Sequence, residues 1–310
     1  MTLPIESPLP PQLARSRTSL PDGDGWAYEP KFDGFRAVAF VDGDDVELQS
    51  RNGKPLTRYF PEVAASFPSG RYVLDGEIVA SSFDTLGQRI HPAKSRIERL
   101  SVETPARYIA FDVLALDDDV LMTRDYRSRR EALEAAALEG VELSPVVWSA
   151  AEAEPWLEHE EGVIAKEADA PYRPGERTGM VKIKRVRTID AVVVGWRPGK
   201  AESTVGALIL GLHEPDGRLR EVGHSSGFTA KQKRELVDFL KPYETGERGS
   251  GEPSRWSAGR DLEWVSLRPE LVVEVTFDHV SDGRIRHGAK VQRWRDDKRP
   301  EECTTEQLES

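Results

Sequence analysis

Cysteine is nearly absent from this chain: Cys303 stands alone in 310 residues, which excludes an intramolecular disulfide and a cysteine-ligated zinc module. Histidine is sparse as well, and His91, His213, His224 and His287 lie far apart without metal-ligand spacing, so any metal is expected to be a hard cation held by carboxylates. No stretch approaches the roughly 18 apolar residues of a membrane span. Met1 to Arg15 is proline-rich and has no apolar run; neither a signal peptide nor a membrane partner is expected, and the cytoplasm is the expected compartment. A phosphate-cradling P-loop is missing too, because Gly195-Trp196-Arg197-Pro198-Gly199-Lys200 lacks its spacing and the following Ser or Thr and reads as a turn between strands. Nor is there an excess of positive charge: 43 Lys and Arg against 54 Asp and Glu give a net charge of −11, which speaks against a uniformly basic nucleic-acid-binding body.

What is present is an ordinary globular composition, 38% hydrophobic and 31% charged, in a chain long enough for two domains. The positive charge is gathered into two strips on the acidic background. Arg177 to Arg187 holds Arg177, Lys182, Lys184, Arg185 and Arg187 with no acid among them, and Arg284 to Arg299 is similarly basic. Such strips can follow a phosphate backbone.

The most informative stretch is Glu29-Pro30-Lys31-Phe32-Asp33-Gly34-Phe35-Arg36. If Ala27 to Asp33 is extended, Glu29, Lys31 and Asp33 share a face, and Gly34 lets the backbone turn or approach a ligand. Before it, Leu3 to Asp24 reads as an irregular lead-in. After it, strands are expected over Phe35–Phe40, Val46–Ser50, Tyr72–Ala80 and Tyr108–Leu116, with helices over Tyr59–Ser66, Arg89–Leu100, Arg127–Glu139 and Glu152–Glu161. Asp75-Gly76-Glu77 interrupts the apolar run of Tyr72–Ala80; the two acids either bind or pair inside a strand or mark an exposed turn. Glu161 opens and Lys166 closes another apolar strand. Val181-Lys182-Ile183-Lys184 alternates, so both lysines share a face and call for an anion between them. Past Arg187 the pattern becomes short strands (189–196, 205–212, 219–222, 271–277) with one helix, Ala230–Leu240, and a Gly/Glu-rich loop at Thr245–Pro253. This suggests a small β-barrel of the oligonucleotide-binding type.

Taken in order, Lys31-Phe32-Asp33-Gly34, Leu74-Asp75-Gly76-Glu77, Phe111-Asp112-Val113-Leu114, Glu161-Gly162-Val163-Ile164-Ala165-Lys166 and Val181-Lys182-Ile183-Lys184 resemble the motif set of the covalent nucleotidyltransferases. From about Pro10 onward the chain most resembles the ATP-dependent DNA ligases, in particular the small bacterial accessory type: ligase C and the ligase module of ligase D. The terminal stretch from Arg286-His287-Gly288 to Lys298 resembles their last motif, which contacts the pyrophosphate of ATP.

The resemblance implies an α+β fold: an ATP-grasp-like adenylation (nucleotidyltransferase) domain of antiparallel sheets with helices over 1–187, and an OB-fold domain over 188–310. It implies a ligase that seals nicked duplex DNA in repair through a lysyl-AMP on Lys31, with ATP as adenylate donor and Mg²⁺ as metal. Lys182 and Lys184 would assist the chemistry. ATP would be held by Glu29 (or nearby backbone) at the adenine amino group, by Phe111 stacked on the base unless it is a core residue, and by Lys166 on phosphate. Arg36 and Arg51 would meet the ribose or the nick phosphates, and Glu77 and Glu161 the ribose and the metal. Arg51, Arg293 and Arg295 would meet nucleic acid. A monomer is expected, without the extra N-terminal DNA-binding domain of larger ligases, and a DNA-end-binding repair protein is the partner class left open. An RNA ligase, a capping-type guanylyltransferase and a non-catalytic OB-fold binder are the alternatives.

The chemistry of the residues agrees. An amine nucleophile must be unprotonated, whereas an ordinary lysine holds its proton to about pH 10.4. Neighbouring positive charge or desolvation lowers that toward roughly 7 to 8. The same cations would stabilise negative charge as pyrophosphate departs.

Overall fold

A computed structural model describes residues 3–251, 262–278, 280–281, 283–285 and 288–308. The chain divides into two units, Met1–Arg185 and Val186–Ser310.

Two sheets make the first unit. The smaller is four-stranded, in the order Arg15–Arg17, Met180–Lys184, Gly162–Glu167, Trp26–Pro30. Its period-two alternation separates two faces: Tyr28, Val163, Ala165, Val181 and Ile183 pack with Ala153 and Trp156 of the helix Ala150–His159, while Glu29, Ile164, Lys166 and Lys182 face the other way. The register sets Lys182 opposite Ile164 and Ile164 opposite Glu29, one row across three strands. The larger sheet is six-stranded and runs Asp45–Ser50, Phe35–Gly43, Gly70–Val79, Arg107–Leu116, Asp119–Val120, with Glu142–Leu143 added beside Arg107–Leu116. One side of it buries Ala37, Leu48, Leu74, Ile78 and Val113 together with Phe60 and Val63; the other buries Val38, Phe40, Val73 and Leu114 with Tyr172. At about 25 cal/mol per Å² of apolar surface, burial on this scale is what sets the strand registers.

Several expectations need correction here. Trp26–Pro30 ends before Lys31, so Asp33 belongs to a loop rather than to the face of Glu29. Asp75-Gly76-Glu77 is no turn, since Gly70–Val79 runs unbroken, and Asp75 is fully buried with partners. The expected helix over Arg89–Leu100 is two helices, Phe83–Arg89 and Lys94–Glu103, because Pro92 cannot continue the first. Tyr59–Ser66 holds only a short helix, Pro61–Ala64, after a 3₁₀ turn. Within the lead-in, Arg15–Arg17 pairs in parallel with Met180–Lys184; its side chains are exposed and only the backbone is recognised, which leaves no hydrophobic period to read.

The second unit is organised on Arg187–Pro198, which pairs with Val205–His213 along one edge and with Val272–Phe277 and then Leu262–Leu267 along the other. A register shift between Val193 and Gly195 bends this strand so that the seven-stranded sheet curls around Val193, Leu210, Val265 and Val273. Gly195-Trp196-Arg197 therefore lies in a strand and not in a turn. The expected loop from Thr245 is an edge strand, Glu244–Gly251, paired with Leu262–Leu267; Gly and Glu give it no apolar alternation, and Glu252 and Pro253 lie outside the described residues. The helix Ala230–Leu240 begins at a capping box of Thr229 and Gln232.

Candidate active site

A cavity of about 770 Å³ opens between the two sheets of the first unit, a size suited to a nucleotide. Lys31, Glu29, Arg36, Arg51, Glu77, Phe111, Lys166 and Lys182 all line it. Lys184, though on the same strand face as Lys182, is exposed and is not among the lining residues, and neither is Glu161. Arg177, which the sequence placed only in a basic strip, lines the cavity as well.

Lys31 is held at the strand end by its backbone N–H, which donates to the carbonyl of Gly162 at 2.9 Å. Gly162 has φ +134°, and a Cβ there would lie 2.1 Å from the carbonyl oxygen of Ile183, so only glycine allows this approach of three strands. Gly34 serves the opposite wall: a Cβ would lie 2.3 Å from the Ile78 carbonyl oxygen and 2.8 Å from Glu77 Cγ. The two acid-flanked motifs thus touch through a missing side chain.

Positive charge is concentrated beside Lys31. Burial lowers the Lys182 amine below the ordinary lysine range, and Lys184, Lys31, Arg51 and Arg177 lower it further. An anion seated among these groups would relieve that repulsion. Arg36 donates twice to Asp75, at 3.0 and 2.6 Å, and Tyr172 donates to the same carboxylate at 2.6 Å. Burial works against the Arg36 charge, but Asp75 outweighs it and raises the guanidinium further. Asp75 thereby anchors a cation on the cavity wall.

Phe111 is no core filler. Its half-buried ring lines the cavity, with the Arg36 guanidinium 5.2 Å and the Lys166 ammonium 4.8 Å from the centroid. Lys166, expected on phosphate, is buried instead at 2.7 Å from Glu29 Oε1 and donates to the Phe111 carbonyl at 2.9 Å. Its charge is neutralised inside the wall by Glu29. Tyr126, Asp112 and Arg129 complete this network and were not singled out as site residues from sequence, where Arg129 reads as part of a helix, Asp112 as part of a strand, and Tyr126 falls just before the expected helix.

Burial pushes the Glu77 carboxyl up to about 8 against the pull of Arg36 and Lys31. This is an acid with incomplete compensation, and a divalent cation fits it. Among the described residues no three His, Cys, Asp or Glu side chains cluster as a metal cage. Mg²⁺ takes one or two carboxylates and leaves its remaining positions to phosphate oxygens and water. The sign of the pH effect follows: the folded chain binds this proton more tightly than the unfolded chain, so its contribution is complete below about 4.5 and is lost as pH rises through about 8. Without nucleotide or divalent cation, the melting temperature is expected to fall between about pH 5 and about pH 8. In Glu77→Gln that fall should be smaller; equal slopes in the two proteins would remove this assignment.

In the second unit, Arg295 is engaged by Asp190 at 2.8 Å, Asp297 at 2.8 Å and Glu274 at 3.4 Å. A guanidinium held this way ties the terminal segment to Arg187–Pro198. Arg293 pairs with Glu274 at 2.8 Å, yet its side chain keeps 60% exposure. Arg286 and His287 lie outside the described residues.

Residues 11–184 match the family model for the ATP dependent DNA ligase domain, and residues 201–298 the model for the ATP dependent DNA ligase C terminal region. The chain belongs to the ATP-dependent DNA ligases. This ligase is 44% identical to DNA ligase C1 of Mycolicibacterium smegmatis, with all of the chain and 96% of the relative covered. It is 42% identical to DNA ligase C of Mycobacterium tuberculosis over the same shares. The multifunctional non-homologous end joining protein LigD of Mycolicibacterium smegmatis is 36% identical over 91% of the chain, which spans 37% of that protein. The solved ligase domain of M. tuberculosis LigD is 30% identical, with a TM-score of 0.51 over 96% of this chain and 98% of that one. The ligase accordingly has a nucleotidyltransferase domain followed by an OB-fold domain and uses ATP to join DNA. No helix among the described residues is long and apolar enough to cross a membrane.

Proposed function

We propose that Lys31 is the nucleophile of this ligase and that the substrate is a nick in duplex DNA carrying a 5′-phosphate and a 3′-hydroxyl. The carrying observation is the position of Lys31 at a glycine-tethered strand end inside a nucleotide-sized cavity, beside Lys182, Arg51 and Arg177. Lys31 Nζ, having released its proton to solvent, forms a P–N bond to the α-phosphorus of ATP as the bond to the β-phosphate oxygen breaks and pyrophosphate leaves. An oxygen of the 5′-phosphate then attacks the same phosphorus and frees the lysine. Finally the 3′-hydroxyl attacks the activated 5′-phosphorus, a phosphodiester forms, and AMP departs.

Lys182, Arg51 and Arg177 would bind the triphosphate, with Lys184 supplying charge from the same strand face. Arg36, fixed by Asp75, would meet the ribose or a phosphate. Phe111 would stack on the base, an interaction worth about 1–3 kcal/mol. Glu77, with Glu161, would hold Mg²⁺, which when bound neutralises charge building on the phosphate oxygens. The adenylation domain is assigned to 1–187 and the OB-fold domain to 188–310, acting as a cytoplasmic monomer. A DNA-end-binding repair protein is the partner class suggested by the end-joining name of one relative.

Incubation with α-labelled ATP or GTP and Mg²⁺, then with nicked DNA or nicked RNA, tests this reading. Label that survives denaturation, comes from ATP in preference to GTP, and is discharged by nicked DNA is expected. An adduct formed from GTP alone, or discharged by RNA alone, would replace it with a capping enzyme or an RNA ligase. Phosphate contacts make nick binding steeply salt-dependent. In Arg293→Ala the slope of log affinity against log salt should fall by about one, with adduct formation from ATP unchanged. A slope equal to that of the parent protein would take Arg293 out of the interface.

A further inference from the structure

At one end of the nucleotide cavity, four charged side chains lie inside the wall. Glu29 and Asp112 are 2% exposed, Arg129 2% and Lys166 4%. Lys166 is 2.7 Å from Glu29 and 3.8 Å from Asp112, and Arg129 donates to Asp112 at 2.7 and 3.0 Å. Two acids and two bases make the group neutral, which allows it to be buried at all. The fifth member is uncharged: Tyr126, 1% exposed, donates its hydroxyl to Glu29 Oε1 in a short hydrogen bond and lies with its ring 4.6 Å from the Lys166 ammonium.

Among the described residues the hydrogen bond from the Tyr126 hydroxyl and the ion pair with the Lys166 ammonium both fall on Glu29 Oε1 rather than Oε2, and Glu29 lines the cavity. A carboxylate fixed in this way has acceptors only. It can take a hydrogen bond from an exocyclic amine on a nucleobase and repels a carbonyl at the same place. An unfixed carboxylate could rotate and would discriminate less. Burial, and next the Glu29 charge, raise the Tyr126 hydroxyl well above its ordinary value, so it remains a donor. Tyr126 is itself fixed from behind: it opens the helix Tyr126–Ala135, whose N-cap Asp125 accepts from the Ser128 backbone, and the Trp148 ring lies 6.3 Å away.

We infer that Tyr126 is a positioning residue for base selection: by occupying one oxygen of Glu29 it aims the other at the 6-amino group of the adenine. The inference rests on the ATP-dependent adenylation proposed above and identifies a selecting device within it. Tyr126 does not touch the reacting atoms.

The probes are ATP and purine riboside 5′-triphosphate, which lacks only the 6-amino group. Single-turnover adduct formation is measured with each for the parent ligase, Tyr126→Phe and Tyr126→Met, the second filling the space without a ring. The parent should prefer ATP, and in both variants the ratio of the two apparent affinities should shrink by about tenfold, the scale of one hydrogen bond to a charged group. The maximal rate of adduct formation should change by less than about twofold, since the lysine and phosphate contacts remain. A purely structural role lowers affinity for both nucleotides together, and an unchanged ratio in either folded variant overturns the inference. Absence of any adduct in the parent protein would instead overturn the proposed function, so the two failures are distinguishable.

Discussion

With Lys31 replaced by alanine, the ligase is expected to take no label from α-labelled ATP and to lose nick sealing by on the order of 10⁴-fold or more, as removal of a covalent nucleophile does elsewhere. The fold should survive. Lys31 is half-buried at a cavity wall, and its backbone hydrogen bond to Gly162 does not need the side chain. Loss of one cation also removes part of the repulsion on Lys182, whose amine should move back toward the ordinary lysine range. Unfolding is therefore expected to shift by no more than about 0.5 kcal/mol. Lys31→Arg should be equally inactive, because a guanidinium stays protonated and cannot present a lone pair. A chemically prepared nick already carrying 5′-adenylate separates the steps: both variants should still close it, because the third step does not use the amine. Label retained by Lys31→Ala, or a stable adduct mapped to Lys182, would sink the assignment.

The second large effect concerns stability. Arg129→Met removes the main partner of Asp112, leaving Lys166 at 3.8 Å as its remaining ion pair among the described residues. Burial by itself would push the Asp112 carboxyl up; Arg129 and Lys166 outweigh it and hold the group below the usual carboxylate range. Leaving such a charge unpaired costs about 3–5 kcal/mol. For a domain of this size that corresponds to a fall in melting temperature on the order of 10 °C. The double variant Arg129→Met, Asp112→Leu should regain most of it, since replacing both partners removes the desolvation penalty along with the attraction. If the single variant melts within a degree or two of the parent, the pair is not the keystone of the wall. If the double variant is no better than the single one, the loss comes from the hydrogen bonds that Arg129 also donates to the carbonyls of Arg124 and Ala170.

These two experiments separate residues that were legible in the linear chain from one that was not. Lys31 could be singled out because Lys31-Phe32-Asp33-Gly34 is followed in order by four further motifs that together resemble the covalent nucleotidyltransferases. Glu77, Phe111 and Lys182 were legible for the same reason, each lying in a short motif on a strand whose alternation points it at one face. Arg129 had no such signal. Its importance comes from standing opposite Asp112, 17 residues away, and nothing in an amphipathic helix marks which arginine turns inward. Lys166 shows an intermediate case, visible as a site lysine but assigned to phosphate, because its distance to Glu29 depends on the pairing of Trp26–Pro30 with Gly162–Glu167.

Local patterning in the chain sufficed for most of the strands and for the order of the motifs that carry the family resemblance, because period-two alternation and glycine punctuation act over a few residues. The pairing of Arg15–Arg17 and of Glu244–Gly251, the ion pairs of Arg295, and the closed set of Glu29, Lys166, Asp112, Arg129 and Tyr126 emerged only after folding. Backbone pairing and buried charge neutrality are properties of residues far apart in the chain, and a linear pattern carries no record of who will meet whom.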